Sequence, residues 1–244
     1  MNNVLITGAL GGIGQALCAE FKNIGCRVIA VDKDIGSCEC DEFIQSDITE
    51  IVNHENQSDS SILKLKRLVA ECGLFCLVNN AAVQILSSTD DINLEDWHTT
   101  LNTNLLAPFF LTKYFLPELE KAEGTVVNIG SIHSIATKPK FVCYATSKSA
   151  LVGLTKSMAV DLGPRIRINA INPAATATPM LLAGFEGKQK EFDELAKMHP
   201  IERIADPHEI AKSAVFLSSK NSSFITGSCL NIDGGMSSRL HDPA

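Results

Sequence analysis

The chain has 244 residues, 45% of them hydrophobic and 20% charged, enough to bury one sizeable core, and no repeat or low-complexity linker divides it. A net charge of −7, dispersed along the sequence, argues against a nucleic-acid partner, which needs a basic footprint. Polar Asn2 and Asn3 follow Met1, and no apolar run approaches the ~20 residues of a membrane span, so a soluble cytoplasmic protein without a membrane partner is expected.

In chain order, a strand over 3–7 runs into Thr7-Gly8-Ala9-Leu10-Gly11-Gly12-Ile13-Gly14 and then a helix over 12–24. Phosphates need backbone N–H groups at a helix N-terminus and a close approach, which glycines permit. The flanking strand and helix supply the required context for dinucleotide binding, with Gly8, Gly11, Gly12, Ile13 and Gly14 at the ligand. The next strand, 27–31, ends at Asp32, whose carboxylate can accept both ribose hydroxyls and repels a 2′-phosphate. That favours NAD over NADP, although Lys33 beside it would soften the repulsion.

Only about ten residues lead from Asp32 to a strand over 43–45, too few for more than about two helical turns, so a loop or vestigial helix is expected there. Further strands are predicted at 75–78, 125–129, 167–171 and 229–232, and helices at 61–72, 94–120, 144–162, 188–198 and 207–219. Asp206, Pro207 and Glu209 form a start signal for the last helix. Strands rich in Val, Ile and Leu that alternate with helices mean an α/β fold of Rossmann type. We expect one domain over 1–244, with about seven parallel strands and helices on both faces.

Eight cysteines occupy positions 18, 26, 38, 40, 72, 76, 143 and 229, with no C-x-x-C pair and no matching histidines. Reduced thiols and no metal are expected, and Cys38-x-Cys40 is the one close pair.

Tyr144 and Lys148 stand four apart, on one face of a helix. A tyrosine hydroxyl titrates near ~10, and bringing it to ~7 requires about 4 kcal/mol of phenolate stabilisation, which a neighbouring ammonium can help supply. Ser131 lies just beyond the strand over 125–129, at the sheet end where open α/β folds place ligands. Asn104, a mediocre helix former, sits inside the predicted helix over 94–120.

Together, Thr7-Gly8-x-x-x-Gly12-x-Gly14, Asp47-Ile48, Asn79-Asn80-Ala81, Asn104, Ser131, Tyr144-x-x-x-Lys148, Asn172-Pro173 and Ile232-Asp233-Gly234-Gly235 resemble the short-chain dehydrogenase/reductase family, in order and over nearly the whole chain. The resemblance implies that Tyr144 is the general acid or base, that Lys148 holds the nicotinamide ribose and lowers the Tyr144 pKa, and that Ser131 polarises the substrate oxygen. Asn104 would hold a water in a proton relay. Asp47 and Ile48 would frame the adenine, Asn80, Ala81 and Ala82 the adenosine side, and Pro173, Ala175, Thr176 and Thr178 the nicotinamide and its phosphate. Two family glycines are replaced, by Ala82 and Ala174.

Residues 180–200 correspond to the family's substrate lid, and His133, Lys138, Lys140 and Cys143 are candidates for the pocket wall. The expected reaction is hydride transfer between NAD(H) and a secondary alcohol or ketone, with a small polar substrate such as a sugar or hydroxy acid. Two other readings are a nucleotide-sugar dehydratase or epimerase and a non-catalytic NAD-binding regulator. The resemblance further implies a homodimer or homotetramer, with Ala107, Phe109, Phe110 and Tyr114 available for packing.

Overall fold

The computed structural model describes residues 1–53 and 60–240. Its apolar segments form one parallel seven-stranded sheet in the order β3-β2-β1-β4-β5-β6-β7. The strands are β1 (Asn3–Thr7), β2 (Arg27–Asp32), β3 (Glu42–Gln45), β4 (Cys76–Asn79), β5 (Thr125–Ile129), β6 (Arg167–Pro173) and β7 (Cys229–Ile232). Central strands β1, β4 and β5 are buried throughout, as their unalternating apolar sequences predict.

Successive residues of a strand point to opposite faces, so each strand feeds two cores. Leu5, Ile29, Leu77 and Val126 face one core, which contains Leu111, Phe115 and Met158. Val4, Ile6, Val28, Val78 and Val127 face the other, with Leu17, Phe21, Ile210 and Leu217. The helices over these faces are α1 (Gly12–Asn23), α2 (Glu50–Asn53), α3 (Ser60–Val69), α4 (Leu94–Leu101), α5 (Ala107–Tyr114), α6 (Leu116–Lys121), α7 (Val142–Leu162), α8 (Pro179–Gly184), α9 (Gln189–Met198) and α10 (Pro207–Ser218). Helix α10 begins as its sequence signal predicts: the Asp206 side chain accepts from the His208 N–H, and Glu209 accepts from the Asp206 N–H. Because the chain turns opposite ways from β1 to β2 and from β1 to β4, a crevice opens at the carboxyl ends of these strands.

One expectation is corrected. The helix predicted over 94–120 is three helices, with a π-helical turn at Asn102–Leu106 between α4 and α5. Pro108 has no N–H for the carbonyl of Asn104, and Pro117 none for that of Lys113, so each removes a hydrogen bond that a regular α-helix needs. The crossover from β2 to β3 is a loop, one of the two forms its length led us to expect. It is a strap pinned by side chains: Asp41 accepts from Lys22 Nζ and the Val28 N–H, both at 2.7 Å, and Cys38 and Cys40 pack against the core beside α1. Ala107 is fully buried within the chain's own core, and Phe109, Phe110 and Tyr114 pack partly against it.

Candidate active site

At the adenosine end, tight backbone contact shapes the crevice. Gly8 has φ +63°, and a Cβ there would lie 2.7 Å from the Cα of Ala81. At Gly14 a Cβ would meet the Gly8 carbonyl oxygen at 2.1 Å, and at Gly12 the Thr178 side chain at 2.8 Å. The loops after β1, β4 and β6 therefore converge on the start of α1. Gly11 is the N-cap of α1 and provides no side-chain cap, which leaves the amides of the first turn available to an anion.

Hydrogen bonds hold this convergence in place. Thr7 Oγ1 accepts from the N–H groups of Asn80 and Ala81, both at 3.1 Å, while Asn80 Nδ2 donates to the carbonyls of Thr7 and Gly8. Asn80 thus ties the β1 and β4 loops together, while Ala82 beyond it is exposed. Asp32 Oδ2 accepts from the Leu10 N–H at 2.9 Å, and Oδ1 from the Asp34 N–H at 3.1 Å. Each carboxylate oxygen keeps acceptor capacity for a ribose hydroxyl. Exposed Asp47 caps its own turn by accepting from Thr49, whereas Ile48 is buried in the core. Ile13 packs partly into the opposite core.

At the other end, polar side chains are buried. Ser131 and Lys148 are 7% and 2% exposed. The Ser131 hydroxyl lies near enough to the Tyr144 phenol to favour its ionised form. Lys148 Nζ donates to the Ile129 carbonyl at 2.8 Å and lies 5.8 Å from the centre of the Tyr144 ring. No carboxylate pairs with Lys148 among the described residues, and burial pushes its pKa down to about 8. Burial raises the Tyr144 phenol above its ordinary value, and Ser131 only partly counters this. In the protein alone, desolvation therefore dominates at Tyr144.

Asn104 is also buried, and its side chain is fully engaged. Its Oδ1 accepts from the Val83 N–H at 2.9 Å, and Nδ2 donates to the Val83 carbonyl and Ser147 Oγ, each at 3.0 Å. Ser147 in turn donates to the carbonyl of Tyr144. Asn104 therefore locks the segment after β4 to α7, close to Tyr144. The group left for a water is its main-chain carbonyl, which Pro108 deprives of the usual helical donor.

Pro173 is buried at the end of β6, and the chain beyond it is held by the Ala205 N–H donating to the Ala175 carbonyl. Thr176 is buried and donates to the Ala174 carbonyl, and Thr178 caps α8 by accepting from the Leu181 N–H.

His133 stacks on Phe141 at 4.2 Å and meets Tyr144 edge-on at 5.7 Å, so it lies beside the Tyr144 ring. Burial, then Lys138, lowers its pKa to about 4, leaving it neutral near pH 7. Cys143 is corrected: it is fully buried and its thiol donates to the Asp96 carbonyl, away from Tyr144. Lys138 lies over the Phe141 ring, while Lys140 is exposed and supports Ser87 through its carbonyl. In the segment 180–200, Phe185 and Phe192 pack edge to face, and Lys190 pairs with Glu194 on the solvent side. Sequence reasoning missed Leu10, Phe141 and a buried ladder beneath the site, in which Asn79 donates to Asn128 and Asn128 to Thr155. Asn128 inside an otherwise apolar strand was its one visible signal.

Residues 8–237 match the family model described as Enoyl-(Acyl carrier protein) reductase. Acetoacetyl-CoA reductase of Acinetobacter is 31% identical over 95% of this chain and 96% of its own. Among solved structures, ligand-free aldohexose dehydrogenase of Thermoplasma acidophilum superposes with a TM-score of 0.91 at 31% identity, covering 100% of this chain and 96% of the other. The NADP-bound ElxO superposes at 0.86 with 29% identity, covering 98% and 99%.

Proposed function

The chain belongs to the short-chain dehydrogenase/reductase family and is an NAD(P)-dependent oxidoreductase acting on CH–OH groups, and from that premise we propose that it moves a hydride between NAD(H) and a small polar secondary alcohol or ketone, such as a sugar or hydroxy acid. The observation that carries this reading is the Ser131–Tyr144–Lys148 cluster, in which a buried ammonium without a carboxylate partner lies 5.8 Å from the centre of the Tyr144 ring, with Ser131 buried beside it. It lies across the crevice from an adenosine end whose glycines, uncapped helix start and Asp32 suit a dinucleotide.

A bound nicotinamide supplies or accepts the hydride. In reduction, Ser131 donates to the carbonyl oxygen and Tyr144 delivers the proton to it, which a protonated phenol can do at neutral pH. In oxidation, Tyr144 must take that proton, so its pKa has to fall. Lys148 has two further N–H groups for ribose hydroxyls, and its charge stabilises the phenolate. The carbonyl of Asn104 is the place for a relay water. Asp32 favours NAD through hydroxyl acceptance and repulsion of a 2′-phosphate, although ElxO, of the same fold, binds NADP. The aldohexose enzyme supports a polar substrate, as does the neutral imidazole of His133 beside the Tyr144 ring.

Fluorescence titration with NADH and NADPH, followed by a screen of sugars, polyols and hydroxy acids, tests the reading. Tighter NADH binding is expected, with turnover reduced about 10²–10⁴-fold in Tyr144→Phe while NADH binding persists. Full turnover in Tyr144→Phe would refute the assigned acid/base, and preferred NADPH would refute the selector role of Asp32.

A further inference from the structure

The strap between β2 and β3 carries a chemistry that hydride transfer does not use. Cys38 and Cys40 on the strap are half-buried against α1, where fully buried Cys18 points its thiol at Cys38 with the sulfurs 3.9 Å apart. Cys40, two residues on, packs partly against the same core. Among the described residues no cluster of three or more side chains is arranged to hold a metal ion. The adjacent thiols therefore point to redox rather than metal chemistry.

We propose that a peroxide converts Cys18 and Cys38 to a disulfide that ties the strap to α1 and weakens dinucleotide binding, a consequence that rests on the NAD reading above. Cys38 is the entry thiol, because it is reached from the surface and touches Cys18. Burial pushes the pKa of Cys40 up to about 11 and that of Cys18 further still, so neither is suited to meet the peroxide first, and Cys18 reacts second because its thiol touches Cys38. The Cys38 sulfur attacks the peroxide, the O–O bond breaks, and a sulfenic acid and one water result. The Cys18 sulfur then attacks that sulfur, the S–O bond breaks, and the departing hydroxide takes the Cys18 proton as a second water. Two thiols are oxidised and one peroxide is reduced.

Closing the gap from 3.9 Å to a bond of ~2.05 Å requires movement. Cys18 is fixed in the core, so the strap must yield. Gly36 already lies so close to Leu10 that a Cβ on it would sit 2.7 Å from the leucine Cδ1. Leu10 donates the N–H that orients Asp32, so pressure on the strap is transmitted to the carboxylate that receives the ribose.

The test treats reduced full-length protein with hydrogen peroxide, maps disulfides by peptide mass after alkylation, and titrates NADH before and after dithiothreitol. We expect linked Cys18 and Cys38 peptides and NADH affinity about tenfold lower. Dithiothreitol should restore both, Cys38→Ser should abolish both, and Cys72→Ser should change neither. A Cys38–Cys40 bond, unlinked Cys18, or an affinity loss that persists in Cys38→Ser would overturn the proposal. If the reduced protein did not bind NADH, the NAD reading would fall instead, and the peptide masses would still decide whether the disulfide forms.

Discussion

Around β1 and β2, the crevice is built by leaving atoms out: Gly8 and Gly14 allow backbone to meet backbone, and Gly12 makes room for the side chains of Thr178 and Pro179. Around β5 and α7 it is built by putting polar atoms in, with Asn104, Ser131 and Lys148 all nearly inaccessible. The first region therefore fails when an atom is added, and the second when one is removed. Stability and function also separate differently in the two. The glycines bear on both, whereas Lys148 is a buried cation without a carboxylate partner, which burdens the resting fold and on the proposed reading serves the chemistry.

Lys148→Met should sharpen this contrast most. Turnover is expected to fall about 10²–10⁴-fold, while the melting temperature stays level or rises because a desolvated ammonium is gone. A large loss of stability would mean that the lysine serves the fold first. Gly14→Ala should do the reverse, since its Cβ would lie 2.1 Å from a carbonyl oxygen. Overpacking of about 1–3 kcal/mol and at least about tenfold weaker NADH binding are expected from calorimetry and fluorescence titration.

Asn104→Ala removes the bonds to Val83 and Ser147 and leaves buried partners unsatisfied. A cost of about 1–3 kcal/mol in chemical denaturation is expected, together with lower turnover. Unchanged stability would break the idea that Asn104 locks this half. The smallest effect concerns His133, whose pKa lies at about 4 in the folded protein against about 6.5 in an unfolded chain. Between those values the unfolded chain binds more protons, so stability should fall as pH drops from about 6.5 towards 4. His133→Gln should flatten that part of the melting curve, and an unaltered slope would show that other groups control it.

The strap illustrates where sequence reasoning reached and where it stopped. Counting residues from Asp32 to Phe43 showed that no ordinary helix could fit, yet nothing in the count indicated that Cys38 would face Cys18 on a different element. The segment 94–120 shows the converse. Its apolar pattern read as one regular helix, although Pro108 and Pro117 were visible and each removes a hydrogen bond that a regular α-helix needs.

Read alone, the sequence determined the seven strands, their parallel arrangement, the dinucleotide motif and the Tyr144–Lys148 pair. Each of these depends on neighbours along the chain: apolar runs, glycine spacing and the helical repeat. Only the tertiary structure decided that Asn104 locks Val83 to α7, that Cys143 turns away from the pocket, and that burial raises the Tyr144 phenol and lowers the Lys148 ammonium. Those facts depend on what lies across the crevice and on how much water is excluded, and neither quantity is a property of any single segment.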